Sequence, residues 1–244
     1  MLATGMKSGT VRRNLNAIRA VFNDGVREFD LRDARNPFEQ VKLAGEGEDA
    51  NNRIIYSDDA LRAIAEACQA RDDDIRWVVA MVADTGARNS EIVGLRVEDV
   101  FLEEPVPHVW LREHLKLGRT LKNPQSVRKV PLVGTALWGA KRAMRSAQKS
   151  GAQWLFPRYS ADNDIRSNSA SGTIVKWLRR VTKTQGDTHA LRHKMRDRLR
   201  HADAPMDVQD EIGGWGTRTV GQGYGEGYRL EQLQGWLKKA VGEA

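Results

Sequence analysis

Three short motifs follow one another near the end of the chain: T-H-A-L-R-H at 188–193, I-G-G-W-G at 212–216 and G-Y-G-E-G-Y at 223–228. His189 and Arg192 are three residues apart, so a helix would project both side chains from one face. Trp215 follows two glycines, and Tyr224 comes nine residues after it. The order predicts a helix with a cationic face, then a glycine turn, then a segment that presents a tyrosine.

An arginine lies in another motif further upstream, T-G-A-R-N-S-E at 85–91. Gly86 permits a tight turn between two helices, and such a turn would direct Arg88 into a cleft. Glu91 lies one helical turn further on, where its carboxylate can hold the guanidinium of Arg88. Taken alone, the same residues also fit a helix–turn–helix with an ion pair on its surface.

Together these motifs resemble the catalytic half of the tyrosine recombinases, the phage integrase family, over roughly residues 53 to 241. The resemblance implies cleavage of DNA by a tyrosine nucleophile, with no metal ion and no other cofactor. It implies that the catalytic residues of this sequence are Arg88, Lys122, His189, Arg192, Trp215 and Tyr224.

Lys122 is assigned by its position, because the family has a lysine in a hairpin turn before a strand that ends in V-P-L. Here L-K-N-P at 121–124 precedes Val130-Pro131-Leu132. Lys116 and Lys129 lie in the same basic stretch and remain alternatives. A flexible ammonium on a loop suits a proton donor that must reach a leaving oxygen.

Trp215 and Tyr224 are each open to an alternative assignment. The commoner family form has histidine after the glycines, although some members carry tryptophan, and an indole keeps one N–H donor without any acid–base role. Trp215 could therefore bind a phosphate oxygen or simply pack in the core. The family interval from the Gly-Gly-Trp motif falls on Tyr224, while Tyr228 is the competing nucleophile.

The resemblance implies that Tyr224 attacks a DNA phosphodiester and forms a 3′-phosphotyrosyl intermediate. Arg88 and Arg192 would clamp the phosphate oxygens on which charge develops. Lys122 would protonate the departing 5′-hydroxyl, and His189 would orient or deprotonate the phenol. The implied function is site-specific recombination for integration or excision of a mobile element, on double-stranded DNA and usually by a homotetramer.

Other functions remain open at this point. A type IB topoisomerase uses similar residues to relax DNA, and a decayed integrase would bind DNA without cutting it. A DNA-recognition helix would explain the basic face of 189–201 but would leave Arg88 and Tyr224 without a role. His189, His193 and Asp197 share a helical face, but the surrounding cations oppose a metal ion there.

Composition sets wider limits on the protein. The chain has 244 residues, a net charge of +7 and a pI near 9.7, which point toward a polyanionic partner. Cys68 is the only cysteine, so a disulfide scaffold is excluded. No signal-peptide pattern or long apolar run is present, and we expect a soluble protein of the bacterial cytoplasm, associated with the nucleoid.

The expected organisation has three parts: residues 1–45 as the remnant of a helical core-binding domain, 46–52 as a polar linker and 53–244 as the catalytic domain. Family members normally carry a complete core-binding domain, so the chain resembles a truncated product or a fragment of a longer integrase. The expected fold class is α+β, mostly α-helical with a small antiparallel sheet.

Periodicity and turn residues predict individual elements. Ser57 and Thr188 are expected to be N-caps, and Ser167 or Ser169 is expected to begin a helix. The predicted helices are 11–29, a helix after Ser57, 75–84, 89–95, 135–149, 170–183, 189–201, one after Pro205, and 229–241. The predicted strands are 108–112 and 128–132, joined by a long connection rich in lysine and arginine.

Overall fold

The computed structural model describes residues 5–31, 33–48, 54–216 and 227–243. The chain divides into two compact units, Met1–Arg53 and Ile54–Ala244. All the strands that the described residues form lie in the larger unit.

The smaller unit is built on helix α1, Ser8–Glu28. Val11 and Leu15 are its buried apolar residues, and their spacing of four puts them on one face of the helix. The segment after the helix folds back along it, and Arg19 Nε donates a hydrogen bond to the carbonyl of Phe38 at 2.5 Å. The helix predicted over 11–29 is confirmed, and the segment that follows it packs against it.

The larger unit is mostly helical. Its helices, numbered in chain order, are α2 (Asp58–Arg71), α3 (Asp74–Thr85), α4 (Asn89–Val93), α5 (Gly134–Ser150), α6 (Ser167–Thr182), α7 (Thr188–His201), α8 (Met206–Gly213) and α9 (Leu230–Val241). Helix α3 is the central one, because it packs against α2, α5 and α7 and most of its residues are buried. Its almost uniformly apolar sequence suits that place, because a helix that is apolar on all sides is buried.

Short strands complete the larger unit. They are β1 (Val100–Phe101), β2 (His108–Leu111), β3 (Arg128–Pro131), β4 (Ser160–Ala161) and β5 (Asp164–Ile165). The first three form an antiparallel sheet in the order β1-β2-β3, and β4 pairs with β5 in a separate hairpin. In the three-stranded sheet Val109 lies opposite Val130, and both are fully buried.

Several details differ from the predictions. Thr188 is not the N-cap of α7: Asp187 is, and its carboxylate accepts the N–H of Ala190 at 2.9 Å. A carboxylate competes well for this place because it also offsets the helix dipole. Helix α6 begins at Ser167, one of the two serines expected to begin it, with Arg166 as its N-cap. Helix α4 ends at Val93, before the predicted end.

The predicted cap at Ser57 is confirmed, since its hydroxyl accepts the N–H of Ala60 at 3.1 Å. Cys68 is fully buried on the inner face of α2. The predicted fold class is also confirmed: the fold is α+β, mostly α-helical with small antiparallel sheets. Among the described residues, no helix has the length and apolar character that a membrane span requires.

Candidate active site

Arg88 lies in the tight turn between α3 and α4. Gly86 has a φ of +66°, the left-handed conformation that favours glycine, and it ends α3. A Cβ at this position would lie 2.9 Å from Cγ of Met195 on α7, so the turn and α7 are in close contact. Thr85 fixes the turn from the other side, because its hydroxyl oxygen accepts the N–H of Ala87 at 3.2 Å. The turn therefore brings the start of α4 next to α7.

Glu91 joins two arginines at this turn. Arg88 Nη1 donates to Glu91 Oε1 at 2.5 Å, as the spacing predicted, and Arg128 Nη2 donates to Glu91 Oε2 at 3.0 Å. Glu91 is only 2% exposed. Burial alone would raise the pKa of Glu91, but the charge and hydrogen bonds of Arg128, together with Arg88, hold it below its ordinary value. The carboxylate is therefore ionised and shared between two guanidinium groups.

Arg192 reaches the same place from α7. Its Nη1 donates to the carbonyl of Gly86 at 2.5 Å, and its Nη2 lies 3.5 Å from the carbonyl of Gly214. Burial, followed by repulsion from Arg128, lowers the pKa of Arg192 to about 9. Arg192 stays protonated at neutral pH. An anion bound beside it would stabilise its charged form, because the guanidinium is largely removed from water.

Trp215 covers this arginine. Its ring lies 4.9 Å from the guanidinium carbon of Arg192 and 5.2 Å from that of Arg196. A Cβ at Gly213 would come within 2.2 Å of the indole, so only glycine allows the ring to lie against the end of α8. The glycine pair and the tryptophan act together to place an aromatic face against two cations.

The loop that carries Lys122 is tied to Arg88. Arg88 Nη1 donates to the hydroxyl of Ser126 at 3.0 Å, and that hydroxyl donates to Asn123 Oδ1 at 2.6 Å. Asn123 directly follows Lys122, whose side chain is exposed. Among the alternatives, Lys129 lies 5.3 Å from the ring of Trp110 on the outer face of the sheet. Lys122 is thus the lysine that directly precedes Asn123, the first residue of the hydrogen-bond chain that leads through Ser126 to Arg88.

His189 lies in the first turn of α7, one turn before Arg192, and is exposed. Tyr224 lies outside the described residues. Tyr228 lies within them, and its hydroxyl donates to Asp207 Oδ2 at 2.6 Å. This hydrogen bond is the first cause of a raised pKa of Tyr228, with burial and the charge of Asp207 adding to it.

Two members of the cluster were not predicted from the sequence. Arg128 is 7% exposed and also donates from Nε to the carbonyl of Ile212 at 2.9 Å, so it connects the sheet to the end of α8. Ser126 links Arg88 to Asn123. A signal for Arg128 was present, because it alternates with Val130 and Leu132 on the core-facing side of a strand. No pattern singled out Ser126.

One group of side chains among the described residues has the spacing of metal ligands: Glu98, Asp99 and His114. Asp99 accepts hydrogen bonds from Arg112 Nε at 2.7 Å and Arg119 Nη1 at 3.2 Å. These arginines already neutralise the buried carboxylate of Asp99, so Asp99 acts as a polar anchor of the fold.

The cluster brings together three guanidinium groups, from Arg88, Arg128 and Arg192, against the single carboxylate of Glu91. The excess of positive charge, partly removed from water, favours an anion with several oxygen atoms. His189 lies on α7, which also carries Arg192, and Lys122 lies in the loop that leads to β3, which carries Arg128; both side chains are exposed. The arrangement can hold a phosphate group and supply protons beside it.

Comparisons with known proteins give a family match and a likeness in fold. The sequence profile of the phage integrase family matches residues 54–226, whereas no curated protein sequence matches the chain. Three solved structures illustrate the similarity in fold. The integrase of transposon Tn1549 in complex with circular intermediate DNA has a TM-score of 0.65 at 18% identity, with 96% of this chain and 80% of that chain covered.

The XerA recombinase has a TM-score of 0.51 at 15% identity, with 98% of this chain and 82% of that chain covered. A lambda integrase tetramer bound to a Holliday junction has a TM-score of 0.53 at 14% identity, with 88% of this chain and 66% of that chain covered. At sequence identities this low, these likenesses show a shared fold and nothing further.

Proposed function

Because the chain belongs to the phage integrase family, we propose that it performs site-specific DNA recombination through a covalent 3′-phosphotyrosyl intermediate. The proposed outcome is the integration or excision of a mobile DNA element. The observation that carries the proposal is the cluster of Arg88, Arg128 and Arg192 around one buried carboxylate. Because three guanidinium groups lie near one carboxylate, the cluster favours the binding of an anion. In this family the anion that is bound and cleaved is the scissile phosphate of DNA.

Arg88 and Arg192 bind the non-bridging oxygens of the scissile phosphate. Negative charge on these oxygens grows as the phosphorus becomes five-coordinate, so fixed guanidinium groups stabilise the transition state more than the ground state. Arg128 does not need to touch the phosphate, because its donors are used by Glu91, Ser126 and Ile212. Its role is to hold Glu91, which in turn holds Arg88.

Tyr224 supplies the nucleophile, and its phenolic oxygen forms the new bond to phosphorus while the bond to the 5′-oxygen breaks. His189 orients or deprotonates the phenol, and Lys122 gives a proton to the leaving 5′-oxygen. The phosphotyrosyl ester keeps the energy of the broken bond. A second 5′-hydroxyl can therefore reseal the strand without a nucleotide cofactor.

The partners follow from the same proposal. Double-stranded DNA is the substrate, and two strand exchanges on paired sites call for four copies of the chain. Residues 1–45 correspond to part of the helical core-binding domain, 46–52 to a linker and 53–244 to the catalytic domain. The proposed place of action is the nucleoid in the bacterial cytoplasm.

Cleavage is expected to proceed in excess EDTA, because the arginines supply the positive charge that a metal ion would otherwise bring. The assay uses nicked duplexes whose sequence is taken from the DNA that flanks the gene for this protein. After cleavage the short fragment between the cut and the nick diffuses away, so the strand cannot be resealed and the covalent protein–DNA species accumulates. Denaturing gels then count that species with and without EDTA. Loss of the adduct on chelation, with recovery on adding a divalent ion, would contradict the proposal.

Trp215 offers a test of how the phosphate is held. If the indole N–H donates to the phosphate, Trp215→Phe keeps the aromatic face against Arg192 and loses only the donor. Loss of a hydrogen bond to a charged group costs about 1.5–3 kcal/mol, which is roughly a 10- to 150-fold fall in the single-turnover cleavage rate. Trp215→His should recover much of that rate, because an imidazole N–H can take the same place.

A packing role for Trp215 predicts the reverse order. Phenylalanine would then be nearly harmless, and histidine would be harmful because it puts a polar ring against Gly213 and the end of α8. Thermal melts of both variants separate lost catalysis from lost folding. A Phe variant that cuts at the wild-type rate would remove Trp215 from the catalytic set.

A further inference from the structure

Arg119 lies in the long loop between β2 and β3, three residues before Lys122, and it is only 1% exposed. The sequence gives no sign of this burial, because the loop is polar and rich in basic residues. A fully buried guanidinium in a surface loop is unusual, since a charge is costly to remove from water unless its donors are satisfied. The contacts of Arg119 show which parts of the protein its side chain connects.

The guanidinium of Arg119 connects the loop to helix α4. Its Nη1 donates to the carbonyl of Gly94 and lies 3.2 Å from Asp99 Oδ2, while its Nη2 donates to the carbonyl of Glu91 at 3.3 Å. Asp99 is itself fully buried. The pKa of Arg119 is lowered to about 10, because burial outweighs the attraction of Asp99. The side chain therefore stays charged and fastens the loop at neutral pH.

Glu91 is the residue at which this tie meets the arginine cluster. Its carbonyl accepts from Arg119, and its carboxylate accepts from Arg88 at 2.5 Å. Main-chain hydrogen bonds between His114 and Arg119, at 3.0 and 3.2 Å, close the loop on the side away from Lys122. Three residues of chain reach at most about 10 Å, so an anchored Arg119 limits where Lys122 can go.

We propose that Arg119 is a positioning residue: it fixes the loop of Lys122 to the helix that holds Arg88, so that the lysine ammonium meets the leaving 5′-oxygen of the phosphate held by the arginine. The inference rests on the proposed function and on the proton-donor role of Lys122 within it. Arg119 itself touches neither DNA nor the reacting atoms. Its effect on the reaction passes through Lys122.

The proposal concerns one proton. As the bond between phosphorus and the 5′-oxygen breaks, the electron pair moves to that oxygen and a proton passes to it from the Lys122 ammonium. If sulfur replaces the 5′-oxygen, the pair leaves on a thiolate, which needs no proton from a general acid as it departs, because thiols, with a pKa of about 8.5, are far more acidic than alcohols. A variant that lacks only the proton transfer should therefore cut the sulfur-substituted strand normally.

The experiment compares single-turnover cleavage of the two nicked duplexes, one with a bridging 5′-oxygen and one with a bridging 5′-sulfur. The variants are Arg119→Lys, which keeps the charge but cannot span all three acceptors, Arg119→Met, which keeps the length without donors, and Lys122→Ala. Arg198→Lys is the matched control. Arg198 also pairs with a carboxylate and a carbonyl, Asp84 Oδ1 at 2.8 Å and the Ala240 oxygen at 2.8 Å, but it belongs to α7.

General acid catalysis contributes about 10²- to 10⁴-fold, so Lys122→Ala should lose roughly that factor on the oxygen substrate. Misplacing the lysine should cost the Arg119 variants roughly tenfold or more. On the sulfur substrate all three should return to within about threefold of the wild type. Arg198→Lys should show the same relative rate on both substrates. Melting curves identify which variants are folded, and either folded Arg119 variant suffices.

The two possible failures are distinguishable. If Lys122→Ala is rescued by sulfur but folded Arg119 variants are equally slow on both substrates, the positioning role is wrong and the role of Lys122 stands. If Lys122→Ala is not rescued either, Lys122 is not the proton donor and the inference falls with it. If the Arg119 variants cut the oxygen substrate at the wild-type rate, the anchor has no influence on Lys122.

Discussion

Tyr224→Phe is expected to abolish the covalent protein–DNA adduct, whereas Tyr228→Phe should still form it. The first change removes the proposed nucleophilic oxygen and nothing else. The second removes a hydroxyl that is already engaged, since it donates to Asp207 at 2.6 Å and this bond raises the pKa of Tyr228. A phenol whose ionisation is disfavoured is a poor nucleophile.

The measurement is trapping on a nicked duplex, followed by digestion and mass spectrometry of the DNA-linked peptide. We expect at least a thousandfold loss of adduct for Tyr224→Phe, on the order of the losses seen when a nucleophile is removed. Tyr228→Phe serves as the matched control, because it lies in the same short segment and undergoes the same chemical change. An adduct located on Tyr228 would overturn the assignment.

Glu91→Gln should cause the largest loss of stability among single changes of the cluster. The carboxylate is 2% exposed and lies between Arg88 and Arg128, so its neutralisation leaves two guanidinium groups without a counter-charge. Removing one partner of a buried ion pair costs about 3–5 kcal/mol. For a domain of this size that is a fall in melting temperature of roughly 6–20 °C.

The matched control is Glu98→Gln, because the Glu98 side chain is 54% exposed and its pairing with Arg96 is weakened by solvent. We expect a change of less than about 1 kcal/mol for it. A Glu91 variant as stable as the control would contradict the counter-charge role.

The effect of Glu91 should also depend on pH. Its pKa is lowered in the folded protein, so its contribution to stability is fully present above about pH 4.3, the ordinary glutamate value. That contribution is lost as the pH falls through the folded-state pKa. The difference in stability between the wild type and Glu91→Gln should therefore shrink in acid, while a purely steric effect of the amide would persist.

Helices with a regular apolar pattern were predictable from the sequence. The apolar positions of α1 and the nearly uniform apolarity of α3 identified both helices, and Ser57 marked the beginning of α2. Strands β1, β4 and β5 were not predicted, because two residues are too few to show alternation. Their existence depends on pairing partners that only the folded chain supplies.

Contacts within the candidate site were predictable where two residues follow a local pattern. They were not predictable where the contact depends on the burial of residues that are distant in sequence. Arg88 and Glu91 are one turn apart, so their ion pair could be foreseen. Arg119 and Arg128 gain their roles from Glu91 and Asp99, which are distant in sequence. A basic residue in a polar loop normally stays in water, and nothing local distinguishes Arg119 from Lys116.

The central place of α3 has a consequence for biosynthesis. The helix ends at Thr85, but α5 and α7, against which it packs, begin only at Gly134 and Thr188. A growing polypeptide therefore exposes this apolar segment until most of the protein has been synthesised. Arg88 and Arg192 cannot come together before then, so a nascent chain that ends before α7 lacks the proposed phosphate clamp. We expect a chain whose translation stops before α7 to bind chaperones or to aggregate, because the apolar core cannot form without that helix.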